Sequence, residues 1–154
     1  MDLKYYLQKA GKERWAVGQF NFSTLAQLRG ILMAARDLKS PVILGTSPGE
    51  SNYLGLRETV ALVEISKVKY KVAAFLNLDH AKDLAAIKKA IDYGYPAVHF
   101  DGSKLPLEKN IKYAKKVVEY AHKRNVLVEG EVGAIGTESS KIYKKKFKIE
   151  ERNL

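Results

Sequence analysis

The feature that most constrains this chain is a repeated switch between two hydrophobic periods. Short, almost continuously apolar runs rich in β-branched and aromatic residues alternate with longer segments whose apolar residues recur every three or four positions. The runs at 15–22 (WAVGQFNF), 41–47 (PVILGTS), 71–79 (KVAAFLNLD), 97–101 (AVHFD) and 126–132 (VLVEGEV) read as strands. Segment 24–39 places Leu25, Leu28, Ile31, Leu32, Ala35 and Leu38 on one helical face. Thr24 with Gln27 predicts a capping box at its start, and Ser40-Pro41 a stop. Further helices are predicted over 56–69, over 83–93 between an Asp83 cap and Gly94, and from Pro106 to Asn125. Pro48-Gly49 reads as the turn that closes the second strand.

Strands that are apolar along their whole length are covered on both faces, which implies a parallel sheet flanked by helices. Two α/β folds remain open on this pattern. One is an open, doubly wound five-stranded sheet. The other is the first five-eighths of a (β/α)8 barrel, since a whole barrel takes about 250 residues and this chain has 154. No linker divides it, so 1–154 is expected to form one domain, with a Lys-rich tail at 141–154.

Charge and cysteine content narrow the function classes. The absence of cysteine excludes a disulfide scaffold, a thiolate zinc finger, an iron–sulfur cluster and a cysteine nucleophile, and it fits a reducing, cytoplasmic setting. Met1–Tyr6 lacks the apolar stretch of a signal peptide, and no apolar run is long enough to span a membrane. A formal net charge of +10 attracts anions, phosphorylated metabolites among them. The lysines of 141–148 read as a solvated surface run. No motif of an RNA- or DNA-binding module accompanies them, so no nucleic-acid partner is expected.

Polar residues gather where the strands finish: Asn21, Thr46 and Ser47, Asp79 and His80, Asp101, then Glu129 and Glu131. In parallel α/β folds these ends share one rim, and sites assemble there. A neutral imidazole at His80 suits a metal, and the adjacent Asp79 carboxylate suits proton transfer; a helix cap and a surface histidine are the bland alternative. Asp101 could cap the next helix, ligate a metal or do neither. Glu129 and Glu131 alternate along their strand, face the same way, and need a metal or a basic partner if buried. Ser47 and Ser103 lie in Gly-flanked turns of a kind that can meet a phosphate. His99 points into the sheet and reads as a satisfied core histidine, and His122 sits near a helix C-terminus.

Taken in order, VGQFNF, SPVILGTS, LNLDH, VHFDGSKLPLEKNI and YAHKRNVLVEGEVGAIG resemble the class II, zinc-dependent fructose-bisphosphate and tagatose-bisphosphate aldolases. The likeness runs from the first residues to about Gly136. It implies a TIM barrel of which this chain carries about the first five strands and four helices. It implies zinc as cofactor, which polarises the carbonyl of a phosphorylated ketose substrate. It makes Asp79 the catalytic acid/base and His80 a zinc ligand. Asp101 and Glu131 match positions that hold a second or alternative metal site, and Glu129 is a support residue beside them. Ser47 matches a strand-end residue near bound substrate, with Asn21 as a further substrate contact. The family's two other zinc histidines and its phosphate-binding loops lie on three later strands, and neither His99 nor His122 matches those histidines. Ala81 stands where the family usually has Gly. The expectation is therefore an aldol-cleaving family member that is incomplete as an isolated chain and joins a completing chain or a homo-oligomer. The alternative is a non-catalytic half-barrel that self-associates and binds a metal or an anion.

Overall fold

The computed structural model describes residues 1–133; Gly136 and the Lys-rich tail lie outside them. Five strands, β1 (Gly18–Asn21), β2 (Val42–Thr46), β3 (Ala74–Ala81), β4 (Ala97–Phe100) and β5 (Leu127–Gly130), form one parallel sheet in sequence order. Between them run α2 (Leu25–Asp37), α3 (Pro48–Leu54), α4 (Leu56–Tyr70), α5 (Leu84–Asp92) and α6 (Leu107–His122), and α1 (Leu3–Glu13) precedes β1. A strand order that never reverses is the order of a barrel wall. The doubly wound alternative needs a reversal, which these strands do not show. Each edge strand, β1 and β5, has one neighbour among the described residues.

Local chemistry explains the element ends. The Thr24 hydroxyl accepts the Gln27 N–H at 3.2 Å while the Gln27 side chain accepts the Thr24 N–H at 3.1 Å, the reciprocal cap expected for α2. Asp83 caps α5 by accepting the N–H groups of Ala85 and Ala86. Two helices were not anticipated. Pro48 is not a turn: it opens α3, with Ser47 as cap and Glu50 completing a second capping box. Pro at the first helical position costs nothing, because its missing N–H would be unpaired there anyway. At the N-terminus, Asp2 accepts the Tyr5 N–H at 2.8 Å and starts α1.

The helices α2, α4, α5 and α6 cover the outer face. Leu28, Leu32, Leu44, Leu78, Ile87, Val98 and Phe100 are all at or below 2% exposure there. Each such side chain contributes about 1.5–3 kcal/mol of apolar burial. The inner face is different. Near the start of the strands, Phe75 and Ala97 are buried beside Leu3 of α1, with Ile43, Leu127 and Tyr6 half-buried against them, and the Tyr6 and Phe75 rings lie 5.6 Å apart. So α1 plugs the N-terminal end of the inner face. One pleat period further along, the same face turns polar: Gln19, Asn77, His99 and Glu129.

Candidate active site at the strand ends

The end of β3 sets the geometry. Leu78 pairs with Val98 but Ala81 pairs with Phe100, so Asp79 and His80 together oppose the single residue His99. This is a β-bulge, and His80 takes a left-handed backbone with φ 53°. Without it, Asp79 and His80 would point to opposite faces. With it, both reach the inner rim. A non-glycine residue in this region stores about 1 kcal/mol or more of strain, a cost concentrated at functional sites.

Asp79 is held on three sides. Asn21 Nδ2 donates to Oδ2 at 2.9 Å, Gln19 Nε2 donates to Oδ1 at 3.2 Å, and His99 Nδ1 lies 3.5 Å from Oδ1. The His99 ring and the Asn21 amide hold the Asp79 carboxyl below the usual carboxylate range, against the opposing effect of burial. Asn21 in turn depends on Gly45 of β2, because a Cβ there would collide with its amide oxygen.

His80 turns the other way, with Nδ1 3.3 Å from Glu131 Oε2 and 3.5 Å from Asp101 Oδ2. These three residues offer ligand atoms within 4.8 Å of one another, and so do Asp79, His80 and His99. Asp101 and Glu131 are both buried. Burial would raise the Asp101 pKa, but the Ser103 hydroxyl and N–H both donate to Oδ1 and Lys82 Nζ sits 3.4 Å from Oδ2, so the pKa falls to about 2. Buried Asn110 on α6 donates to the Glu131 carbonyl at 2.7 Å and fixes the turn after β5. A cavity of about 580 Å³ lies over this rim, lined by Gln19, Asn21, Asp79, His80, His99 and residues 129–132.

Thus Asn21, Asp79, His80, Asp101 and Glu131 meet as a single cluster, though they span 111 positions of sequence. Glu129 borders it and accepts from Asn77 at 3.4 Å. The Ser47 hydroxyl is turned to its own helix, accepting the Glu50 N–H at 3.3 Å, so the structure gives it a capping role. Ser103 is used on Asp101. His99 corrects the sequence reading most: it is buried at 4% exposure, as a core residue would be, but its Nε2 is not hydrogen-bonded and its ring joins the two carboxylate clusters. Gln19, Asn77, Lys82 and Asn110 were also missed. The period-two parity that pairs Asn77 with Asp79 was the available signal for one of them.

The sequence profile of the family described as "Fructose-bisphosphate aldolase class-II" matches residues 1–151. The chain belongs to that family. It is 41% identical over 141 residues to the fructose-bisphosphate aldolase of Geobacillus stearothermophilus, a match covering 88% of this chain and 48% of that protein. It is also 41% identical over 139 residues to the 6-phospho-5-dehydro-2-deoxy-D-gluconate aldolase of Bacillus licheniformis, with the same two coverages. Among solved structures, the YdjI aldolase of Escherichia coli K12 superimposes with a TM-score of 0.80 at 26% identity, covering 86% of this chain and 52% of that one. The fructose-bisphosphate aldolase of Campylobacter jejuni shares the fold, with a TM-score of 0.78 at 22% identity. The chain spans about half the length of the relatives it matches, so its five strands are the first part of the class II aldolase barrel.

Proposed function

We propose that this chain supplies the first five strands of a metal-dependent aldolase that reversibly cleaves a ketose 1,6-bisphosphate to dihydroxyacetone phosphate and glyceraldehyde 3-phosphate, as in glycolysis. The observation that carries the reading is the bulge at Asp79-His80, which sets a proton-transfer group and a metal-type ligand side by side on the rim of a class II aldolase wall. The donor set suits a divalent ion such as zinc: an imidazole and two carboxylates, with Glu131 Oε2 buried and without a hydrogen bond. His80, Asp101 and Glu131 would hold it. Such an ion polarises the substrate carbonyl when bound.

The chain's own residues do the rest. In the condensation direction the Asp79 carboxylate takes a proton from the carbon beside the ketone of dihydroxyacetone phosphate and gives it to the alkoxide oxygen formed from the aldehyde; in cleavage it takes that hydroxyl proton as the carbon–carbon bond breaks and returns it to the carbon. Its lowered pKa keeps it charged and ready as a base. Asn21 and Gln19 aim it. Relatives named for fructose bisphosphate and for a phosphorylated deoxygluconate share equal identity with this chain, so we name a phosphorylated ketose as substrate class. The activity belongs to a complete rim, closed by further strands from a completing chain or a second copy, and the cytoplasm is the expected setting; no described helix is long and apolar enough to cross a membrane.

Deuterium exchange into dihydroxyacetone phosphate, followed by NMR with zinc and the purified protein, tests this reading. Exchange that disappears in Asp79→Asn is expected. Equal exchange in the two proteins contradicts the role of Asp79. No exchange and no cleavage of fructose or tagatose bisphosphate, in the chain alone or in its assembly, contradicts the aldolase reading.

A further inference from the structure

His99 is the buried group that the family likeness leaves without a task. It lies on β4 at 4% exposure and opposes the bulge, where neither Asp79 nor His80 has a register partner on β2 or β4. A bulge takes a backbone N–H out of the strand ladder, and that N–H needs another acceptor. Here a side chain supplies it: the His80 N–H donates to His99 Nδ1 at 3.3 Å. The two imidazole rings also pack together, with centroids 4.5 Å apart. The left-handed backbone of His80, with φ 53°, is thus held from the neighbouring strand.

That bond fixes the proton of the ring. A backbone N–H only donates, so Nδ1 accepts and the neutral ring carries its hydrogen on Nε2. Nε2 is fully enclosed and faces Glu131 Oε2 at 3.4 Å, and neither atom has a hydrogen-bond partner among the described residues. Asp79 takes its donors from Gln19 and Asn21, and it meets a proton on Nδ1, 3.5 Å away, only when the ring is charged. Resting on the reading of Asp79, His80 and Glu131 as the working groups of this rim, we propose that His99 is the positioning residue that assembles them. Nδ1 holds the bulge that sets Asp79 beside His80. Nε2–H is aimed at Glu131 and keeps its carboxylate turned toward His80, whose Nδ1 is 3.3 Å from the same oxygen. His99 itself binds neither ion nor substrate. A rigid ring with an acceptor at one end and a donor at the other is what this place requires; an aliphatic side chain would fill the volume and do neither. Removing such an outer partner of a metal ligand costs about 10–100-fold in metal affinity.

The test is 15N NMR of the full 154-residue chain at mildly alkaline pH, followed through the ring nitrogens of its three histidines. The expected result is a His99 ring with its proton on Nε2, and a coupling across the hydrogen bond between Nδ1 and the His80 amide nitrogen. Zinc is expected to move the ring signals of His80 and to leave the proton on His99 Nε2. His99→Leu is expected to speed exchange of the His80 amide about tenfold and to weaken zinc binding about 10–100-fold. His99→Asn, which puts an acceptor back near the place of Nδ1 alone, is expected to restore the amide protection and not the zinc affinity. Circular dichroism checks that both variants stay folded, and the spectrum of the unsubstituted chain reads the first question without a variant. A proton on Nδ1, no coupling to His80, or zinc that displaces the Nε2 proton overturns the inference, and so does unchanged zinc affinity in His99→Leu. The coupling and the Nε2 proton in a chain that binds no zinc keep His99 as the holder of the bulge and remove the metal reading of the rim.

Discussion

The two ends of the sheet's inner face are built from the same strands and follow opposite rules. On β3 the inward residues run Phe75, Asn77, Asp79; on β4, Ala97, His99, Asp101; on β5, Leu127, Glu129, Glu131. Polarity rises along every strand. The N-terminal end is apolar and sealed by α1, with Leu3 and Phe75 buried. The C-terminal end crowds four carboxylates around two imidazoles, and its buried His99 Nε2 and Glu131 Oε2 stay unpaired. One end holds the wall together and the other is kept poised for a ligand, a division that barrels use generally. Substitutions at the two ends should therefore separate stability from binding.

The largest expected effect is at the plug. Phe75→Ala removes the ring that packs on Tyr6 and should cost about 3–5 kcal/mol of unfolding free energy by urea titration, while the folded fraction keeps its zinc affinity. A zinc affinity that falls in step would show that the two ends are not independent. Next comes His80→Ala, which should weaken zinc binding about 100-fold or more by calorimetry and leave the metal-free chain as stable as before. A large loss of stability there would make His80 a structural residue.

The comparison also shows what was readable from residues alone. The five strands, their parallel order and the rim cluster of Asp79, His80, Asp101 and Glu131 followed from periodicity and family likeness. Both depend on side-chain pattern, which a sequence carries directly. The bulge did not follow, because strand parity assumes a regular pleat, and His80 breaks it with a positive φ that no local glycine announces. The role of His99 did not follow because parity correctly buried it, but burial alone is silent on what surrounds a ring nitrogen. Helix α3 was missed because Pro48-Gly49 signals a turn and a helix start equally well. Ser47 illustrates the same limit: its place at a strand end was right, and the pattern is silent on the cap in which its hydroxyl accepts the Glu50 N–H.

Two smaller effects sharpen the contrast. Glu131→Gln replaces a buried carboxylate whose Oε2 makes no hydrogen bond, so the metal-free chain should keep its stability to within about 1 kcal/mol, while zinc binding weakens about tenfold. Destabilisation in thermal melts would mean that Glu131 is part of the framework. Ser103→Ala withdraws the donors' hydroxyl from Asp101. Its folded-state pKa, about 2 against 3.8 for the free carboxyl, gives stability that is present above pH 4 and lost as pH falls through 2. The variant should lose about 1 kcal/mol at neutral pH and show a shallower fall in stability between pH 4 and 2. Identical acid profiles for the two proteins would place the cause of the lowered pKa elsewhere, with Lys82 the next candidate.

The most direct test of the division between plug and rim is the zinc content of the purified chain beside His80→Ala, measured by mass spectrometry after dialysis. The account predicts one zinc per chain, lost in the variant, with both proteins equally folded. No zinc in either protein, or the same zinc in both, would contradict it.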